Sequence, residues 1–198
     1  MQIKIITISR EFGSGGRTIG KMVAEHLKIA CYDKELIEKV AVESGLDEKY
    51  IAEQGEYAPS DNMFAYSFIG RGINGISTED YLWAKQREVI LELAEKEPCV
   101  IVGRCADFVL KDRNDCLNVF VHAALDKRAE RIVKLYGETT ISPEKRLQEK
   151  DKKRRVNYKY YTDQKWGMAQ NYHVCLNSGI IGIDQCADII VNVAKTAK

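Results

Sequence analysis

Apolar residues along this chain follow two periods. Short unbroken runs recur at Ile3, Ile5, Ile6 and Ile8, at 28–32 (K-I-A-C-Y), at 99–102, at 117–122 and at 173–176. They are rich in β-branched residues and bounded by glycine, proline or polar residues, which is the pattern of buried strands. Between them the apolar positions fall at helical spacing. Ile19, Met22, Val23, His26 and Leu27 share one face; Leu36, Ile37, Val40 and Ala41 share another, ending near Gly45. Further helices are predicted over 79–96, stopped by Pro98, and over 106–110, 125–135 and 183–197. Asp33 stands where it can cap the second helix, and a short helix capped by Asp47 is predicted from 46 to 52. Strands that are apolar throughout, alternating with helices, make a parallel sheet covered on both faces. The expected fold is α/β, with three αβα layers around a five-stranded parallel sheet.

Two stretches depart from that rhythm. Residues 56–78 mix Gly, Pro, Ser and Asn with aromatics and show no period. A long irregular segment in a compact domain is usually functional or mobile. Residues 143–161 are dominated by charge and end in Tyr158, Tyr160 and Tyr161. Such a helix buries little by itself. It is either a solvated face or an arm that closes over an anionic ligand.

Composition narrows the class. A chain of 198 residues is expected to be one domain with a real core. Thirty basic residues against twenty-nine acidic leave a formal charge of +1, which gives no support for a nucleic-acid or membrane-surface field. The start, M-Q-I-K-I-I-T-I, lacks a signal-peptide core, and no apolar run reaches the length of a membrane span. Cys31, Cys99, Cys105, Cys116, Cys175 and Cys186 form no C-x-x-C pair, so free thiols in a reducing cytoplasm are expected.

Ligands of such sheets lie at the carboxyl ends of the strands. The first strand runs into Gly13, Ser14, Gly15 and Gly16, and a helix follows at once. That geometry presents backbone N–H groups and a positive helix end to a phosphate. Against the pattern G-x-x-x-x-G-K-[ST], Glu11 replaces the first glycine and Arg17 the lysine. Arg17 can still hold phosphate, with a fork instead of a point charge. Thr18 can cap the helix or ligate magnesium. Asp33, Arg104 and His122 follow or end strands two, three and four. His122 reads as a core histidine, and Trp83 and Trp166 as packing anchors.

Five marks in order then carry a resemblance over nearly the whole chain. They are I-S-R-E-F-G-S-G-G-R at 8–17, Y-D-K-E-L-I-E-K-V-A at 32–41, I-V-G-R-C-A-D at 101–107, D-K-K-R-R at 151–155 and W-G-M-A-Q-N-Y-H-V-C-L-N-S at 166–178. The chain resembles the nucleoside monophosphate kinases of the P-loop class, most closely the cytidylate kinase-like branch. The resemblance implies a single kinase domain over 1–198, with an acceptor-binding insert near 33–97 and a helical lid near 138–165. It implies phosphoryl transfer from ATP, assisted by Mg²⁺, to CMP or dCMP. Gly13, Ser14, Gly15, Gly16, Arg17 and Thr18 would cradle the donor phosphates, and Arg128 and Arg131 would flank the adenine. Arg104, Lys39, Arg87 and Asp33 fall on the acceptor side. Arg154 of the D-x-x-R pattern would reach the phosphates, and Asp151 the acceptor's base or sugar.

Plainer roles compete. Arg104 could be a strand-end ion pair, Lys39 a solvated lysine, and Asp151 and Arg154 an i,i+3 salt bridge. Glu11 or Asp33 could hold a magnesium-bound water, and Tyr160 and Tyr161 could stack on a base or pack the lid. Cys105 stands where the family carries an aspartate that helps to read the acceptor, and residues 56–78 do not match the usual insert. Two alternatives to a (d)CMP kinase stay open: a non-catalytic nucleotide binder, or a kinase for another small acceptor. The aromatics of 64–83 leave monomer and homodimer both open.

Overall fold

A computed structural model describes residues 3–46 and 77–197. The helix expected at 46–52 and nearly all of the irregular segment 56–78, with Phe64, Tyr66 and Phe68, lie outside the described residues. The elements are β1 (Ile5–Arg10), α1 (Gly16–Leu27), β2 (Ala30–Tyr32), α2 (Lys34–Ser44), α3 (Thr78–Lys96), β3 (Cys99–Val102), α4 (Ala106–Val109), β4 (Cys116–His122), α5 (Leu125–Tyr136), α6 (Pro143–Thr162), β5 (Val174–Asn177), α7 (Ser178–Ile181) and α8 (Ile183–Thr196). All five strands are parallel, in the order β2-β3-β1-β4-β5.

The sheet is centred on β1, which pairs Ile5 with Cys99 on one side and with Cys116 on the other. Alternation along the strands divides the core between the two faces. Ile6, Ile8, Val100, Val102, Val119 and Val121 pack beneath α1 and α8. Ile5, Cys99, Ile101 and Cys116 meet Leu36 and Val40 of α2 and Leu82, Ile90 and Leu93 of α3. β1 reaches two residues beyond its apolar run, because Ser9 and Arg10 stay in register with Phe120 and Val121. Those two residues are buried, so the strand delivers polar groups to the upper edge of the sheet.

Local chemistry sets the helix ends. Ser77 accepts from the Asp80 N–H at 3.0 Å, and Glu79 and Asp80 complement the positive end of α3. Ser142 caps α6 on the Lys145 N–H, with Pro143 in the first turn. Gly45 ends α2 at φ 68°. Asp33 departs from its expected cap: it precedes α2, yet its side chain makes no cap hydrogen bond. The carboxylate is taken by Arg17 instead, at 3.0 Å. α7 was not expected from the sequence, and Asn177 starts it by accepting from the Gly179 N–H.

A third, smaller cluster lies above the sheet. Leu147 of α6 is fully buried against Ala129 and Ile132 of α5, with Phe12 of the glycine loop beside them. Burial of one such leucine is worth about 1.5–3 kcal/mol. The charged helix is therefore docked on the domain. All six cysteines are free thiols. Burial pushes the Cys99 and Cys116 thiols up to about 12, which keeps them protonated and inert.

Candidate active site

The glycine loop is shaped by close approach. Gly15 caps α1 at φ 84°, a conformation that side chains rarely adopt. A Cβ on Gly16 would lie 2.5 Å from the Cβ of Arg10. The Ser14 hydroxyl turns inward, 3.0 Å from the Val121 carbonyl and 2.9 Å from that of Glu11. Ser178 at the head of α7 donates to the Ser14 carbonyl at 2.6 Å. The loop is thus clamped from below. The first turn of the twelve-residue α1 carries no acidic side chain, so its N–H groups face an open cleft without a competing anion.

That donor-side cleft has a cavity volume of about 180 Å³. Its walls are the loop, Arg131 and Tyr136 of α5, and Lys150 and Arg154 of α6. Arg131 donates to the Thr18 hydroxyl at 3.0 Å. Arg17 is half exposed and paired with Asp33. A second, much smaller cavity of about 20 Å³ lies across the strand ends, lined by Arg10, Arg104, Cys105, Arg154, Asn157 and Trp166, among others. Its three arginines come from β1, the β3–α4 turn and α6. Arg10 and Arg154 line both cavities, so the two spaces share a pair of arginines.

The β3–α4 turn is strained. Gly103, Arg104 and Cys105 take positive φ in succession, at 78°, 57° and 53°. Two non-glycine residues there cost on the order of 1–3 kcal/mol each, and such strain gathers at functional sites. Arg104 is buried and donates to Gln86 of α3 at 3.3 Å. Beneath the pocket lies Asp107, 3% exposed. Its carboxylate accepts from the Tyr158 hydroxyl at 2.7 Å and from Ser9 at 3.1 Å. Burial pushes the Asp107 carboxyl above the ordinary carboxylate range, and the two hydroxyls pull it part of the way back. Burial, then the Asp107 charge, pushes the Tyr158 phenol upward as well.

Several expected site residues sit elsewhere. Arg128 is buried and turned away from the donor cleft. It donates to the Ala123 carbonyl at 3.0 Å, the Phe12 carbonyl at 3.1 Å and Asp151 at 2.5 Å, with Glu11 at 3.3 Å. Asp151 also accepts from the Phe12 N–H at 2.7 Å, so it holds the loop and not the acceptor pocket. Its contact with Arg154 is the longest of the set, at 3.9 Å. Lys39 pairs with Glu92 at 2.6 Å on the α2–α3 surface. Arg87 is exposed on α3, and neither residue lines either cavity. Tyr161 packs: it stacks on Trp83 at 4.4 Å and lies 3.3 Å from Asp80. The sequence reading missed Arg10, Asp107, Lys150 and Asn157. Arg10 could have been found as the basic residue that ends the strand feeding the loop.

Among the described residues no group of three His, Cys, Asp or Glu side chains is placed to hold a metal ion. The Thr18 hydroxyl lines the donor cleft, and the Asp33 carboxylate is paired with neighbouring Arg17. Both are hard oxygen donors. They fit a Mg²⁺ ion held largely by phosphate oxygens and water, and do not fit a metal needing a protein cage.

Strand, glycine loop and helix at the centre of a parallel sheet, with cations gathered over its upper edge, define a P-loop kinase fold. The same fold is seen in the shikimate kinase from Bacteroides thetaiotaomicron, at TM-score 0.58 and 17% identity, with 98% of each chain covered. An uncharacterized protein from Eubacterium ventriosum is nearer, at TM-score 0.73 and 29% identity, again with 98% of each chain covered. The chain belongs to the cytidylate kinase-like family, whose pattern it matches over residues 5–180. A protein named cytidylate kinase from Archaeoglobus fulgidus is 28% identical, covering 98% of this chain and 96% of its own. One of the same name from Methanopyrus kandleri is 27% identical over 78% of this chain and 74% of its own. Among the described residues no helix is long and apolar enough to cross a membrane.

Proposed function

We propose that the protein transfers the γ-phosphoryl group of ATP to a nucleoside monophosphate, with CMP or dCMP as the acceptor. The observation that carries this reading is the pair Arg10 and Arg154, which lines both cavities. Phosphoryl transfer asks for positioning and charge neutralisation more than for a protein nucleophile. Donor phosphates fit the backbone N–H groups of residues 15–18, and the tail of ATP fits the space between Arg131 and Tyr136. The acceptor phosphate fits against Arg104. In-line transfer then moves the γ-phosphoryl past Arg10 and Arg154, which neutralise charge as it spreads over the equatorial oxygens. The nucleophile is already an anion, so no protein base is required. Mg²⁺ bound to the donor phosphates would screen their charge, with Thr18 as its protein ligand. The related proteins named cytidylate kinase support the choice of base.

A coupled assay of ADP release with a panel of nucleoside monophosphates tests this. Turnover is expected to depend on the acceptor and to favour CMP or dCMP. Folded protein that binds ATP and turns over none of the panel would remove the proposal and favour a non-catalytic nucleotide binder.

A further inference from the structure

Asn157 sits one helical turn after Arg154, so the two side chains share a face of α6. It is 6% exposed and lines the small pocket with Arg10, Arg104 and Arg154. Its carboxamide is held at one end only. The Cys105 thiol donates to Oδ1 at 3.5 Å. The other end, Nδ2, donates to no described residue. Nor is it sealed from solvent: among the described residues the Tyr172 hydroxyl is the one buried polar atom both enclosed and unbonded. A buried amide with two unused protons therefore faces a pocket containing three guanidinium groups. Water can meet such a donor in the free protein, and a ligand entering the pocket must replace that hydrogen bond, which an anionic oxygen does.

We infer that Asn157 Nδ2 is a fourth donor to the acceptor's phosphate, beside Arg10, Arg104 and Arg154. The inference rests on the transfer reaction proposed above for the identity of the acceptor. The bare pocket chemistry asks only for an anionic oxygen. Cys105 is the positioning residue. Its thiol donates to Oδ1, which leaves Nδ2 turned toward the phosphate. An aspartate at 105 would accept from Nδ2 instead. It would turn Oδ1 to the pocket and add a negative charge. The cysteine and the asparagine thus work as a pair.

Isothermal titration of the full chain with inorganic phosphate tests the site without any assumption about turnover. Wild-type protein is expected to bind phosphate in the small pocket. N157A is expected to weaken that binding at least tenfold. The isosteric N157D should weaken it further, because a carboxylate replaces the donor. C105S keeps a donor and should stay within about twofold of wild type, whereas C105D should lose binding at least tenfold. In turnover, N157A should raise the acceptor KM by the same factor while the ATP KM stays within about twofold. A loss of helix packing alone would move both. Circular dichroism and Tm establish that each variant is folded; should N157A unfold, N157D carries the test. Phosphate binding by folded N157A or N157D within twofold of wild type would overturn the inference, as would wild-type protein that binds no phosphate. If monophosphates are not turned over but phosphate binding still depends on Asn157, the transfer reading falls and the site stands.

Discussion

The two halves of α6 are built from similar residues and do different things. In the donor-side half, residues 147–151, every buried group is answered. Leu147 packs on α5, and the Asp151 carboxylate takes the Phe12 N–H and Arg128. Arg128 in turn is filled by two carbonyls and Glu11. In the acceptor-side half, residues 154–158, half-buried Arg154 donates to the Arg10 carbonyl at 3.1 Å and lines a cavity together with buried Asn157 and Tyr158. The same sort of polar side chain serves as a rivet where protein encloses it and as a site where it lines a cavity. The contrast also revises the image of a free arm. The half of the helix nearest the glycine loop is fastened to that loop, so Arg154 is placed by the rivet before any ligand arrives.

The largest expected effect comes from breaking the rivet. Asp151→Ala takes the nearer carboxylate from the buried Arg128 charge, leaving Glu11 at 3.3 Å, and also removes the acceptor of the Phe12 N–H, which together should destabilise the protein by about 3–5 kcal/mol in urea unfolding. Replacing Arg128 with Met in the same chain should recover part of that loss, because the stranded charge is then removed. A loss below about 1 kcal/mol in the single variant would mean that the pair is not the fastening described.

Arg154→Ala should invert that pattern. Asp151, 3.9 Å from it, keeps its closer bond to Arg128, so stability should change little, while kcat/KM should fall about 10²–10³-fold, the usual result of losing one preorganised donor to a transition state. The kinetics and the unfolding midpoint of the two variants, compared directly, break the contrast if both lose stability equally.

Asp107 supplies a pH test of smaller size. Its folded pKa is raised by burial, so the folded state prefers the neutral carboxyl. The stability this contributes is fully present below the ordinary carboxylate pKa of about 3.9 and is lost as pH rises through the folded value. Asp107→Asn, neutral at every pH, escapes that loss. The unfolding free energy of the variant relative to wild type should therefore rise from about pH 3 upward and flatten above the folded pKa. A difference that stays constant with pH, or falls, would show that Tyr158 and Ser9 hold the carboxylate ionised without cost.

Much of this was legible in the chain because it is written in apolar residues. Unbroken runs gave all five strands, and their order of appearance brought Arg104 and the glycine loop to one edge. What was not legible is written in polar ones. The buried positions of α6 include Leu147, Asp151, Asn157, Tyr158 and Thr162. They lie near one stripe at helical spacing, but a hydrophobic period cannot register a stripe made of Asp, Asn and Thr. Arg128 shows the same thing: the family resemblance sets it beside the adenine, and only the fold shows that carbonyls and Asp151 surround it here. Arg10 was passed over because the apolar run ended at Ile8, two residues before the strand did.

The smallest expected effect tests the far end of the comparison. Family resemblance places Lys39 on the acceptor phosphate, but here its ammonium group lies on the α2–α3 surface between Glu92 and Glu43. An exposed pair of that kind contributes about 0–1 kcal/mol, and less at high salt. Lys39→Ala should therefore leave the acceptor KM within about twofold and shift Tm slightly, with the shift shrinking in 0.5 M salt. A tenfold rise in acceptor KM would mean that Lys39 leaves Glu92 when the acceptor binds. The cationic ring would then extend beyond β1, β3 and α6 to α2, and the division between riveted and ligand-facing groups would hold for α6 alone.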